Sequence, residues 1–150
     1  KKTDAKEEIP GKSRQAVENI YEYCRKNNAK LVLISTPSTA YWNYKRHNSV
    51  AELAESLGVE YVDMNLINDQ VGIEWSTDTR DRGMHMNIYG ARKCSAFLGA
   101  YLAKTEQFQD KRKDASYADW FDALEAFNES TDNALDRPSP EPEDNTKKAD

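Results

Sequence analysis

Apolar residues along this chain change period from helix-like to strand-like and back. From about Ser13, the residues Val17, Ile20, Tyr21 and Cys24 share one stripe, and Asn27–Asn28 ends it, so a helix is expected. Leu31–Ser35 (LVLIS) is short, apolar throughout and partly β-branched, which predicts a strand covered on both faces. Pro37 stops it. A second helix is expected over roughly Ser49–Leu57, with Val50, Leu53, Ala54 and Leu57 inward and Gly58 at its C-terminal cap. Val59–Met64 reads as the next strand, and Val71–Trp75 as a short helix or turn. The firmest helix starts at Asn87, a good N-cap. Tyr89, Cys94, Phe97, Leu98, Tyr101 and Leu102 fall largely on one face, and small Gly90 and Ala91 let its first turn pack closely.

The order helix, strand, helix, strand, loop, helix is βαβ logic, with a right-handed crossover between two parallel strands. Two strands alone make a poor sheet. The expected fold class is therefore α/β, the C-terminal half of a doubly wound domain with the first strands missing and a sheet edge open. Residues 1–11 are charged and end in Pro10–Gly11, a flexible lead-in. Residues 12–106 carry the α/β part. Residues 107–130 hold a charged link, Asp110–Asp114, and an amphipathic helix over Ser116–Phe127 with Tyr117, Trp120, Phe121 and Leu124 on one face. From Thr131 to Asp150 the chain is acidic, Pro-rich and free of aromatics, which predicts disorder.

Composition narrows the function. At 150 residues one domain is expected, and 38% hydrophobic against 31% charged residues implies a modest core beside solvated segments. A net charge of −5 without a basic cluster argues against nucleic acid or an anionic membrane as partner. No apolar run approaches the ~20 residues that cross a bilayer, and no signal peptide is recognisable. The chain opens on Lys1–Lys2 and not Met, so it reads as part of something longer. Cys24 and Cys94 lie on apolar helix faces and read as buried free thiols, since a metal site needs more ligands.

In an open parallel sheet, ligands bind beyond the carboxyl ends of the strands. Three pieces are expected to meet there: Ser35–Ser38, Asp63–Asn65 and Asp78–Asn87. The last holds two Asp residues and one of only two His residues, just before a rigid helix. His85 is the best candidate base, because imidazole titrates near neutrality and could take a proton from a hydroxyl nucleophile. It needs a carboxylate on its other nitrogen, and Asp81 and Asp78 are available. A surface histidine without a chemical task, or a metal loop built from Asp78, Asp81 and His85, remains open at this point. His47 reads as a solvated residue at a helix start. Ser35 and Ser38 sit in neither a Gly-x-Ser-x-Gly nor a Gly-Asp-Ser context. Tyr41, Trp42 and Tyr44 could wall a sugar or acyl group or simply pack on the protein, and Arg80 and Arg82 could meet an anion.

These residues carry a resemblance. Asp81-Arg-Gly-Met-His85-Met-Asn87, followed by Gly90-Ala91-Arg92-Lys93 and an amphipathic helix, resembles the closing block of the SGNH/GDSL-like hydrolases. LVLISTPS, GVEYVDMN and DKRKDASYADW are similar to the bacterial branch, so the likeness spans roughly residues 12–128. It implies a partial three-layer α/β/α (flavodoxin-like) fold and a Ser–His–Asp triad that hydrolyses or transfers ester-linked acyl groups on a small-molecule or carbohydrate substrate, with no cofactor and no metal. Its His maps onto His85. Its Asp usually lies three residues earlier, where this chain has Arg82, so Asp81 is one position off and Asp78 is the reserve. Tyr41, Trp42 and Asn87 are the expected substrate contacts. The Gly-Asp-Ser block and the oxyanion-hole Gly and Asn are not recognisable here. The implied partner is the N-terminal half of the same domain, and these residues alone are expected to show little or no esterase activity. Relatives of this kind are often anchored at the bacterial cell envelope. The rival expectation is a non-catalytic SGNH-like module that binds carbohydrate or a partner through its aromatic loop.

Overall fold

A computed structural model describes residues 1–106 and 108–135. Helix α1 (Gly11–Lys26) leads into strand β1 (Val32–Ser35), helix α2 (Tyr44–Leu57) and strand β2 (Glu60–Asp63). The two strands pair in parallel, Val32 with Glu60 through Ser35 with Asp63, with α2 as the crossover. The expected α/β class is therefore present, with a parallel sheet of two strands among the described residues.

Helix α2 starts five residues earlier than the apolar pattern suggested. The Asn43 side chain accepts from Arg46 N at 2.9 Å, and this cap holds a first turn whose residues are too polar to show periodicity. The helix ends where expected, at Gly58 in the left-handed region (φ +65°). A short helix α3 (Asn68–Val71) precedes the expected turn, and Gly72 (φ +75°) closes it. The presumed Asp78–Asn87 loop is a small hairpin: β3 (Thr79–Arg80) and β4 (His85–Met86) pair antiparallel around a single tight turn at Asp81–Gly83.

Helix α4 (Ile88–Thr105) begins as predicted, with Asn87 accepting from Tyr89 N at 2.9 Å and Gly90 N at 3.2 Å. Its apolar face packs Cys94, Phe97 and Leu98 on the buried cluster of Met64, Val71 and Ile73, joined by Ile67 and Met86. That cluster ties the segment after β2 to the hairpin and to α4. Burying side chains of this size contributes roughly 1.5–3 kcal/mol each.

A 3-10 turn (Ala115–Tyr117), capped by Asp114 accepting from Ser116 N at 3.1 Å, opens helix α5 (Ala118–Leu135). The helix continues through the first residues of the stretch expected to lack structure, and residues 136–150 of that stretch lie outside the described residues. Arg92 of α4 donates to Thr131 Oγ1 at 2.8 Å and pins α5. Trp120, Leu124 and Phe127 stay more than half exposed.

One expectation changes. Strand β1 is not covered on both faces, since Ile34 is exposed, and α1 buries none of its residues, leaving Ile20 and Tyr23 open. The charged lead-in is also tethered along α2. Asn48 Nδ2 donates to Thr3 O and Ala5 O at 2.8 Å each, and Ser49 Oγ accepts from Glu7 N at 2.9 Å. Arg46 Nε meets Glu7 Oε1 at 3.1 Å, and Lys6 pairs with Glu52 at 2.5 Å. The lead-in lacks apolar periodicity, and these polar partners, more than thirty-five positions away in sequence, help to fix it. Both cysteines are free thiols and part-buried, with burial and the nearby Asp78 charge raising the pKa of Cys94.

Candidate functional site

The three segments expected to meet beyond the strand ends do meet, through direct hydrogen bonds. Ser38 N donates to Asn65 Oδ1 at 2.9 Å, and Asn65 Nδ2 donates to Thr36 O at 3.1 Å. The hairpin joins them: Ser38 Oγ donates to Met84 O at 3.1 Å, Thr39 N to Gly83 O at 2.9 Å, and Thr39 Oγ1 to Arg82 O at 2.8 Å.

On this platform His85 Nδ1 lies 2.9 Å from Asp81 Oδ2. The two residues are four apart, and the tight turn between β3 and β4 folds one carboxylate back onto the ring. Asp81 and Arg82 both adopt left-handed backbone conformations, φ +53° and +58°, which cost L-residues of this kind roughly 1–2 kcal/mol each. The turn holds a strained pair of residues where the candidate carboxylate sits, a pattern that clusters at functional positions. Both side chains are more than half exposed, so the pair adds at most about 1 kcal/mol to stability. Imidazole Nε2 has no hydrogen-bond partner among the described residues, and the Tyr41 ring stands 6.0 Å from the imidazole at 56°. The imidazole and the Tyr41 ring are both exposed to solvent.

Asp78 belongs to the scaffold instead. Its side chain is nearly closed to solvent, with Lys93 Nζ on Oδ2 at 2.5 Å, Glu74 N at 2.7 Å and the Thr77 hydroxyl at 3.3 Å. Its carbonyl accepts from Asn87 N at 3.0 Å. Burial works against the charge, yet Lys93 and the other donors win and hold the Asp78 carboxyl below the usual carboxylate range. Gly90 is required beside it, because a Cβ there would come within 2.3 Å of Asp78 O. With Asp78 engaged by Lys93, the three-residue metal loop does not assemble. Among the described residues no three His, Cys, Asp or Glu side chains come together in a set that could hold a metal ion.

The expected substrate contacts divide. Tyr41 is 59% exposed and borders His85. Asn87 has its side chain engaged as a helix cap and in a 2.6 Å bond to Thr77 O. Trp42 donates its indole N–H to Asp63 Oδ2 at 2.7 Å and packs edge-on against Tyr44 at 5.0 Å. Of the two serines, Ser38 Oγ also accepts from Tyr41 N at 3.2 Å, and Ser35 Oγ lies 2.8 Å from Tyr61 Oη. Both hydroxyls are engaged in loop and strand contacts.

The residue that sequence reasoning missed is His47. It is no solvated helix-start residue: its Nδ1 lies 2.7 Å from Asp63 Oδ2, a second His–carboxylate pair and a more buried one. Asp63 stands at the end of β2 and collects Trp42, Tyr61 and His47 on Oδ2, with Asn65 N and Nδ2 on Oδ1. Desolvation raises its pKa, but the donors of Asn65, Trp42 and His47 outweigh that and keep the carboxyl below its ordinary value. The only hint in the sequence is Asp63 closing an apolar strand.

No helix among the described residues is long and apolar enough to cross a membrane. No protein-family model, curated protein or solved structure matches this chain.

Proposed function

We propose that this chain carries the general base of an SGNH-type ester hydrolase or O-acyltransferase, with His85 as the base and Asp81 as its orienting carboxylate. The observation that carries the reading is the 2.9 Å contact between His85 Nδ1 and Asp81 Oδ2, with Nε2 unpartnered among the described residues and the exposed Tyr41 ring 6.0 Å from the imidazole. Asp81 accepts the Nδ1 proton, which leaves the Nε2 lone pair for a hydroxyl. His85 then takes the proton of a serine as that oxygen attacks the acyl carbonyl, and returns it to the departing alcohol. Lys93–Asp78 and the Asn87 cap keep the hairpin seated on α4, so the base is held by the scaffold.

In this reading the serine and the oxyanion donors come from outside these residues, since Ser35 and Ser38 are engaged elsewhere. The uncovered Ile34 of β1 and the open apolar face of α1 support further strands and a helix layer completing a three-layer α/β/α domain. The test is His85→Ala in the full-length protein, assayed on short-chain acyl esters. A fall in kcat of about 10²-fold or more supports the assignment, in line with the usual contribution of a positioned base. Undiminished turnover sinks it.

A further inference from the structure

A cavity of about 260 Å³ opens beside the Tyr41–Trp42 loop, with no hairpin residue in its lining. Ser35, Trp42, His47 and Tyr61 line it, and the tethered strap Glu7–Pro10 forms its outer wall. We propose that this cavity binds a neutral hydroxylated ligand, one sugar ring or a comparable polyol, held by hydrogen bonds to the Ser35 hydroxyl and the His47 ring. The inference does not rest on ester chemistry at His85.

The direction of each hydrogen bond makes the argument. Tyr61 is held in its protonated form, because burial raises its phenol pKa strongly and the neighbouring Asp63 charge adds to the effect. Its single proton goes to Asp63 Oδ2 at 3.0 Å. The 2.8 Å contact between Ser35 Oγ and Tyr61 Oη must then use the serine proton. Ser35 therefore has only acceptor lone pairs left. His47 sets its Nδ1 on Asp63 Oδ2 at 2.7 Å, which leaves Nε2, unpartnered among the described residues, open to a ligand hydroxyl. The inner wall thus offers an acceptor at Ser35 and an open imidazole nitrogen at His47, with the donors of Arg46 and Tyr41 at the exposed rim, which suits a ligand whose hydroxyls both give and take hydrogen bonds.

Hydroxyl donors fit better than an ammonium group. Asp63 is saturated by its five donors and has no free lone pair aimed at a cation. Glu7 at the rim is already paired with Arg46. The other charged lining residues, Glu8 and Arg46, are exposed to water, so a cation held inside would have no buried counter-charge beside it, and that is costly. Trp42, Tyr61, Ile9 and Val50 supply the apolar walls on which the C–H face of a sugar packs.

The test is NMR titration of the full-length chain with methyl β-glucopyranoside, and with tetramethylammonium and acetate as charged controls. Saturable shifts of the Trp42 indole N–H and the His47 ring are expected with the glucoside alone. Affinity should fall at least tenfold in His47→Ala and in Ser35→Ala, and stay at the parent value in His85→Ala. If His47→Ala does not fold, Ser35→Ala carries the comparison by itself. No saturable shift with the glucoside, equal binding by Ser35→Ala, or tighter binding of tetramethylammonium overturns the proposal.

Discussion

His47 Nδ1 and Asp63 Oδ2 lie 2.7 Å apart although sixteen residues separate them, and the carboxylate side chain is only 4% exposed. The helix α2 crossover brings them together by setting the first turn of α2 against the end of β2. His85 and Asp81, by contrast, are joined by one local turn in the open. The two pairs share the loop that carries Tyr41 and Trp42. One is built into the fold, and the other is presented to whatever approaches.

Asp63→Ala should be among the more destabilising single changes. It strands the indole N–H of Trp42, the Tyr61 hydroxyl, the His47 ring and the Asn65 side chain at a part-buried site. Donors left unpaired in such a place cost about 1–3 kcal/mol each, partly relieved by water. Urea unfolding should show a loss of about 2–4 kcal/mol, and a loss below about 0.5 kcal/mol would show that the network is not holding β2 and α2 together.

Gly90→Ala should loosen the seat of α4. The added methyl meets the Asp78 carbonyl at 2.3 Å, a backbone atom that cannot step aside without moving β3. Overpacking of this kind costs about 1–3 kcal/mol. A thermal melt indistinguishable from the parent would contradict that close approach.

Arg82→Gly should stabilise the protein. Arg82 is exposed and adopts φ +58°, so glycine removes a left-handed penalty of ~1–2 kcal/mol while adding freedom to the unfolded chain. The expected gain in unfolding free energy is about 0.5–1 kcal/mol. A lowered melting temperature would mean that the Arg82 side chain contributes something its backbone strain hides.

Stability should fall with acid in a defined window. Asp63 and Asp78 both have carboxyls depressed in the folded state, so each contributes stability above the ordinary aspartate value of 3.8. That contribution is lost as pH drops from there through the lower native values, because the unfolded chain then binds protons that the native one refuses. Asp78→Asn should flatten the slope of unfolding free energy against pH in that range. An unchanged slope would mean that Lys93 is not holding the carboxylate ionised.

The sequence made visible what depends on neighbours within a turn or so. The Asn87 cap, the apolar face of α4, the LVLIS strand and the Gly58 stop are all local, and each stands where its residues put it. Asp81–His85 was legible for the same reason, being a pair four residues apart. His47 was not. Lys45, Arg46 and Asn48 around it suggested a solvated helix start, and its burial depends on Trp42, Tyr61 and the β1–β2 register. The two-residue strands β3 and β4 are shorter than one period of any pattern. The tethering of the lead-in hangs on polar bonds to α2 that no periodicity encodes.

The choice between the two histidines is tested most directly by one assay on three proteins. Hydrolysis of a short-chain acyl ester by the full-length parent should be compared with His85→Gln and His47→Gln, each verified as folded. A base at His85 predicts that His85→Gln loses about 10²-fold or more in kcat, while His47→Gln keeps turnover to water within a few-fold. Loss of turnover in His47→Gln with His85→Gln unaffected would contradict the account and move the chemistry to the Asp63 pair.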